Sequence, residues 1–188
     1  MTFQTGVFVY PSSSWRKLAW RLPLIFYRLG LGLILRPLPM IVLTTRGRTT
    51  GSPRHVMVEH SFVEGKIYVV PGWGHRTQWY RNIQTDTHVT VQRKGQTFSA
   101  IADRVTDQGE LSAVFRHVQK TSPMWRSFLN SWGIEDNLED FLSKRDRVAA
   151  LRLDRTEDPP MLPPLRVDLW WVWPLLAVLS LLVWHWQA

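Results

Sequence analysis

Residues 40–63, MIVLTTRGRTTGSPRHVMVEHSFV, read as two strands on either side of a turn. Met40–Thr45 and Arg54–Val63 are rich in apolar and β-branched residues, and the stretch Gly47–Pro53 between them supplies two glycines and a proline. The same pattern continues downstream. Lys66–Val70 follows the Glu64-Gly65 turn and closes a hairpin with the second strand. Val89–Arg93 and Gln96–Val105 flank Lys94-Gly95 as another hairpin. Between the pairs, Thr77 is placed to cap a short helix over Gln78–Gln84. Asp107 is placed to cap a longer one through Leu111, Val114, Phe115 and Val118. An amphipathic stretch over Leu138–Leu142 and a closing strand over Val148–Leu153 complete the domain. Short antiparallel strands, tight turns and helices at the ends specify an α+β fold built on a small barrel, not a βαβ sheet.

Outward from this domain the two ends differ. Residues 1–14 say little, and Trp15–Leu35 has helical periodicity. On that helix Trp15, Leu18, Leu22, Ile25, Phe26, Leu29 and Leu33 share a face opposite Lys17, Arg21 and Arg28. Packing of the apolar face on the core competes with a membrane-surface role. Arg28 interrupts the apolar run, so the stretch makes a poor signal peptide. At the other end, residues 156–168, TEDPPMLPPLRVD, carry two Pro-Pro pairs and read as a stiff linker. Residues 169–187 follow without a formal charge and with tryptophans at both ends, which predicts a single transmembrane anchor. Arg145, Arg147, Arg152, Arg155 and Arg166 precede it, and no Lys or Arg follows. The expected location is therefore the cell membrane, with the domain of residues 15–155 on the cytoplasmic side.

Composition narrows the chemistry. The 188 residues contain no cysteine, which excludes disulfides, thiolate metal sites and cysteine nucleophiles. Charge is uneven: residues 1–58 hold Arg16, Lys17, Arg21, Arg28, Arg36, Arg46, Arg48 and Arg54 but no acid, so the whole net charge of +8 is N-terminal. Such a bias points to an anionic partner, a lipid headgroup or a phosphate-bearing ligand. No helix-turn-helix, zinc finger or aromatic-interleaved basic stripe is present, and no nucleic-acid partner is expected. The six histidines show no metal-ligand spacing with carboxylates, and no metal is expected.

Two stretches carry candidate chemistry. In residues 43–54, LTTRGRTTGSPR, glycine N–H groups, threonine hydroxyls and arginine forks make a competent phosphate cradle, or else a solvated hairpin tip. The Gly-Lys-Ser/Thr end of a P-loop is missing. In residues 69–82, VVPGWGHRTQWYRN, a strand ends in a Gly-x-Gly loop that a flat ring can approach closely, unless it is a plain crossover with Trp79 and Tyr80 in the core.

In that order the two motifs resemble the nitroreductase-type, deazaflavin-dependent oxidoreductases, split β-barrels related to flavin-binding pyridoxamine-phosphate oxidases. LTTRGRTTGSPR is similar to the family's L-T-T-x-G-R-K-[ST]-G-x-P-R, and PGWGHRTQWYRNI to its Gly-rich loop and W-Y-x-N-[IL]. The hairpin VTVQRKGQTFSAIADRV matches in position, and the likeness runs from about Leu22 to Leu153.

The resemblance implies a split β-barrel, FMN-binding-like, with flanking helices. It implies that Arg48, Thr50 and Arg54 hold the phosphate and acidic tail of coenzyme F420, with Thr49 where the family often has Lys. Arg46 or Arg76 is then a candidate replacement for the lost cation. Pro71, Gly72, Trp73 and Gly74 would line the deazaflavin, and Trp79 and Tyr80 would wall the pocket, with Tyr80 also a candidate proton donor. Trp125, Phe128 and Trp132 would shape the substrate pocket. The function expected is a membrane-tethered oxidoreductase passing hydride from reduced deazaflavin to a small apolar unsaturated or quinone-like acceptor. A non-catalytic carrier and an FMN-dependent enzyme of the same fold are the alternatives. Membrane lipid and a homodimer partner are compatible with this reading.

Overall fold

The computed structural model describes residues 22–34 and 37–187. Six strands close an antiparallel barrel: β1 (Met40–Arg46), β2 (Pro53–Val63), β3 (Lys66–Val69), β4 (His88–Arg93), β5 (Gln96–Arg104) and β6 (Leu151–Arg155). Their order around the barrel is β1-β2-β3-β6-β5-β4. The long β1–β2 ladder runs in register from Met40 opposite Glu59 to Arg46 opposite Pro53, which places the Gly47–Ser52 turn at one end of the barrel. Both two-residue hairpin turns have left-handed backbones, with φ of 49° and 81° at Glu64 and Gly65 and 50° and 86° at Lys94 and Gly95. Those values match the right-handed twist of the strands they join.

Side chains alternate across the strands, and Ile41, Leu43, Val58, Val69, Val91, Ala100 and Leu153 fill the barrel. The six-residue helix α2 (Gln78–Ile83) adds Trp79, Tyr80 and Ile83 to that core. A second core lies outside, between the barrel and α3 (Gln108–Thr121), α4 (Trp125–Trp132) and α5 (Leu138–Ser143). There Phe115, Trp125 and Phe141 meet with ring centroids 5.0–5.8 Å apart. Asp107 caps α3 as expected, accepting from the Glu110 N–H. Thr77 precedes α2 without a side-chain cap, and its buried hydroxyl has no partner among the described residues. Helix α4 was not anticipated as an element, although Trp125, Phe128, Leu129 and Trp132 follow helical spacing.

Residues 156–168 lie along the barrel. Thr90 Oγ1 donates to the Leu162 carbonyl at 2.8 Å. The Gln92 amide donates to the Leu165 carbonyl and accepts from the Leu165 N–H. Leu162 is 3% exposed. Asp168 then receives both Nε and Nη2 of Arg28 on α1 (Leu22–Arg28), at 2.7 and 2.8 Å. The amphipathic helix expected over Trp15–Leu35 thus appears as this short α1 and a 3-10 turn over Leu31–Leu33, and the rest of it lies outside the described residues.

The predicted transmembrane helix over residues 169–187 is overturned. Trp170 and Trp171 lie in a turn, and the helix α6 runs only over Val172–Gln187, 16 residues. At 1.5 Å per residue that is about 24 Å, short of the roughly 30 Å hydrocarbon thickness. Among the described residues no helix is long and apolar enough to cross a membrane. The single-pass location and the orientation drawn from the flanking arginines fall with it.

Candidate functional site

At the turn end of the barrel, the Gly47–Ser52 connection folds back on itself. The Gly47 N–H donates to the Ser52 carbonyl at 2.9 Å, and the Gly51 N–H to the Gly47 carbonyl at 2.7 Å. Gly51 has φ +68°, and a Cβ on Gly47 would sit 3.0 Å from the Ser52 carbonyl oxygen, so glycine suits both places. The turn stands opposite α2. Asn82 of that helix is buried; its Nδ2 donates to Thr45 Oγ1 at 3.1 Å, and its Oδ1 accepts from the Arg48 backbone N–H and from Nη1. Arg48 Nη2 donates to Gln78 Oε1 at 2.9 Å. Arg54 Nη2 donates to Thr50 Oγ1 at 3.4 Å.

Gly47, Arg48, Thr50, Arg54, Gln78 and Asn82 line a cavity of about 460 Å³, together with Thr49, His55, Val56 and Trp79. Ligand pockets commonly span roughly 300–1,000 Å³. No acidic side chain lines it among the described residues. The nearby acid Asp86 is engaged by Arg46, whose Nε donates to Oδ2 at 2.8 Å. Burial pushes the Asp86 carboxyl up, but the hydrogen bonds from Arg46 and His88 outweigh it and hold it below the ordinary carboxylate range. Arg46 is therefore paired with the Asp86 carboxylate. His55 binds Thr44 Oγ1 through Nδ1 at 2.9 Å. Burial, helped by the charge of Arg28, makes its imidazole harder to protonate.

The Gly-x-Gly loop takes another position. Its Gly74 N–H donates to the Pro71 carbonyl, and the loop packs against α4. Ser131 Oγ donates to the Gly72 carbonyl at 2.6 Å. A Cβ on Gly72 would lie 2.8 Å from Phe128 Cε1, and one on Gly74 3.4 Å from Trp132 Nε1. Tyr80 is 1% exposed inside the barrel; its hydroxyl has no hydrogen-bond partner among the described residues, and burial raises its pKa against the charge of Arg104. Trp125 is likewise core, its Nε1 donating to Asp136.

The structure thus gathers Arg48, Thr49, Thr50, Arg54 and Trp79 around one cavity. It sets Pro71–Gly74 with Phe128 and Trp132 in a second group, and leaves Tyr80 and Trp125 inside the two cores. Sequence reasoning passed over Gln78, Asn82 and His55. The signal for the first two was their i,i+4 spacing on α2, which puts both amides on one face.

No curated protein sequence matches the chain. Among solved structures, an F420-H2 dependent reductase (FDR-A) is similar at 17% identity over 62% of this chain and 94% of that one, with a TM-score of 0.46. A domain-swapped dimer is similar at 17% identity over 70% of this chain and 99% of that one, with a TM-score of 0.47. A protein from Listeria innocua, described as a putative pyridoxamine 5'-phosphate oxidase, reaches 12% identity and a TM-score of 0.43 over 70% of this chain and 94% of that one. The decisive match is to a family: residues 25–131, more than half of the chain, fit the F420H(2)-dependent quinone reductases, a span that contains both motifs and the whole cavity. The chain belongs to that family, and is an oxidoreductase with coenzyme F420 as its cofactor.

Proposed function

We propose that the cavity between the Gly47–Ser52 turn and α2 receives the phosphate and acidic tail of coenzyme F420, and that the acceptor is a small apolar unsaturated or quinone-like molecule. The single observation that carries the reading is the pairing of two arginines, Arg48 and Arg54, on a cavity with no acidic side chain among its described lining residues. The residues fit such a group. Arginine forks and threonine hydroxyls donate to phosphate oxygens, and charge-assisted bonds of this kind are the strong ones. When bound, the reduced cofactor supplies the hydride.

This chain's own residues do the rest. Arg48, Arg54, Thr49 and Thr50 bind the anionic tail, and Trp79 closes the cavity's apolar side. Pro71–Gly74 lead into α2 and, with no side chains at Gly72 and Gly74, pack closely on Phe128 and Trp132. Phe128 and Trp132 hold that loop from behind and give the acceptor an apolar boundary.

Titration of full-length protein with coenzyme F420 tests the site. Arg48→Ala and Arg54→Ala should each weaken binding about tenfold to hundredfold, the size of a lost charge-assisted hydrogen bond. The thermal midpoint should hold, because both side chains are exposed. Lys120→Ala, an exposed cation on α3, is the control. Equal losses from Arg48→Ala and Lys120→Ala would mean that the charge acts as a diffuse field, and the site would be elsewhere.

A further inference from the structure

The guanidinium of Arg48 carries five N–H donors. One Nη1 donor goes to Asn82 Oδ1 at 3.1 Å and one Nη2 donor to Gln78 Oε1 at 2.9 Å. The Nε–H and the second N–H of each Nη have no partner among the described residues. Both acceptors are neutral amides. They orient the fork without cancelling its charge, whereas the comparable contact of Arg46 is with the carboxylate of Asp86. The orientation is itself anchored, because Asn82 is buried and its Nδ2 donates to Thr45 Oγ1 on β1. Gln78 closes the clasp from the exposed first residue of α2, and its side chain makes no other hydrogen bond among the described residues.

We infer that Gln78 is a positioning residue for cofactor binding: with Asn82 it fixes the Arg48 fork, charge uncompensated and three N–H donors open, toward an anionic group of coenzyme F420. The inference rests on the cavity being the cofactor site. Long side chains lose rotamer freedom when they bind, and a fork held in place beforehand loses less. A carboxylate at position 78 would hold the fork equally well by geometry but would neutralise it and repel the anion.

The test uses full-length protein and oxidised coenzyme F420, with Kd from isothermal titration and folding from the thermal midpoint. Gln78→Ala should weaken binding about twofold to tenfold, the scale of ordering one flexible side chain. Gln78→Glu should weaken it further than Gln78→Ala, although it is the closer match in shape. In an Arg48→Ala background, Gln78→Ala should have no further effect, since the double-mutant cycle reads only what passes through the arginine. Both substitutions at position 78 are on the surface, so the midpoint should stay near that of the parent.

Each other result overturns a defined part. Affinity in Gln78→Ala equal to or better than the parent would show that Gln78 does not prepare Arg48, and that at most it competes for it. Equal losses in Gln78→Ala and Gln78→Glu that persist in Arg48→Ala would show a role in shape alone. Unchanged affinity in Arg48→Ala would remove the cavity as the cofactor site, and with it the basis of the inference. A loss in Arg48→Ala with no change in either Gln78 variant would sink the clasp and leave the site standing.

Discussion

His60 shows how much of this molecule's behaviour sits in single contacts. Its Nε2 accepts from Arg93 Nε at 2.9 Å, so that nitrogen must be unprotonated. The Arg93 guanidinium in turn lies 5.2 Å from the centroid of the Phe62 ring. Burial, and then the positive charge of Arg93, push the His60 pKa down to about 4. In an unfolded chain the imidazole titrates near 6.5. Between those values the unfolded state binds a proton that the folded state refuses, so stability rises with pH across that window and is lost as pH falls. Chemical denaturation at several pH values from 4 to 7 should therefore show a shallower pH slope for His60→Gln than for the parent. The difference is bounded by one proton, about 1.4 kcal/mol per pH unit. Identical slopes would mean that the imidazole is not held neutral by this contact. Nothing in the residues around position 60 announces the pairing, because β2 and β4 bring His60 and Arg93 together only when the barrel closes. Arg48, Thr50 and Arg54 are the opposite case: they lie within a few residues of each other, and the resemblance of that stretch to a family motif grouped them.

Among the elements, the strap over residues 156–168 is the one whose role depends most on partners. Proline pairs make it stiff, but its place on the barrel is set by Thr90 and Gln92, outward-facing polar residues of β4 that bond to its backbone. Leu162, 3% exposed, is the apolar contact that these hydrogen bonds hold in place. Leu162→Ala should cost about 2–3 kcal/mol, the lower end of the range for buried leucines, since the site is at the surface of the fold and can partly collapse. Arg28→Ala breaks an ion pair whose side chains are 38% and 49% exposed, and should cost less than about 1 kcal/mol. Equilibrium denaturation compares them, and an Arg28→Ala loss as large as that of Leu162→Ala would put the strap's anchorage at the wrong end. The hairpins were legible because Gly65 and Gly95 take left-handed backbone without steric cost between two strand-like runs. Helix α4 was not, because eight residues give little periodicity and its stability comes from the aromatic core it completes. Charge and hydropathy correctly marked residues 169–187 as apolar, but they do not set where a helix begins. The turn at Trp170–Trp171 takes the first residues out of it.

For the whole molecule, the issue is how two cores act on one end of the barrel. The inner core fixes α2 through Trp79, Tyr80 and Ile83, and with it Asn82 and Gln78. The outer core fixes α4 and, through Phe128 and Ser131, the Pro71–Gly74 loop. Gly72 is the joint between the loop and the outer core. A Cβ there would stand 2.8 Å from Phe128 Cε1, so one of the two must move. Gly72→Ala should therefore destabilise the fold by about 1–3 kcal/mol, the usual cost of overpacking. If the clash is with this ring, shortening the ring should relieve it. Phe128→Leu, destabilising alone through the cavity it leaves, should cost less in the Gly72→Ala background than in the parent. The coupling read from the four proteins should be favourable, of order 0.5–3 kcal/mol for residues in contact. Coenzyme F420 titration of the same set separates the cores by function. On the proposed site the anionic tail is held by the turn and α2, so affinity in Gly72→Ala should fall less than in Arg48→Ala, while turnover with a quinone acceptor should fall more than binding does. Additive stability losses in the double variant would show that Gly72 is required for another reason, and that the outer core does not set the loop.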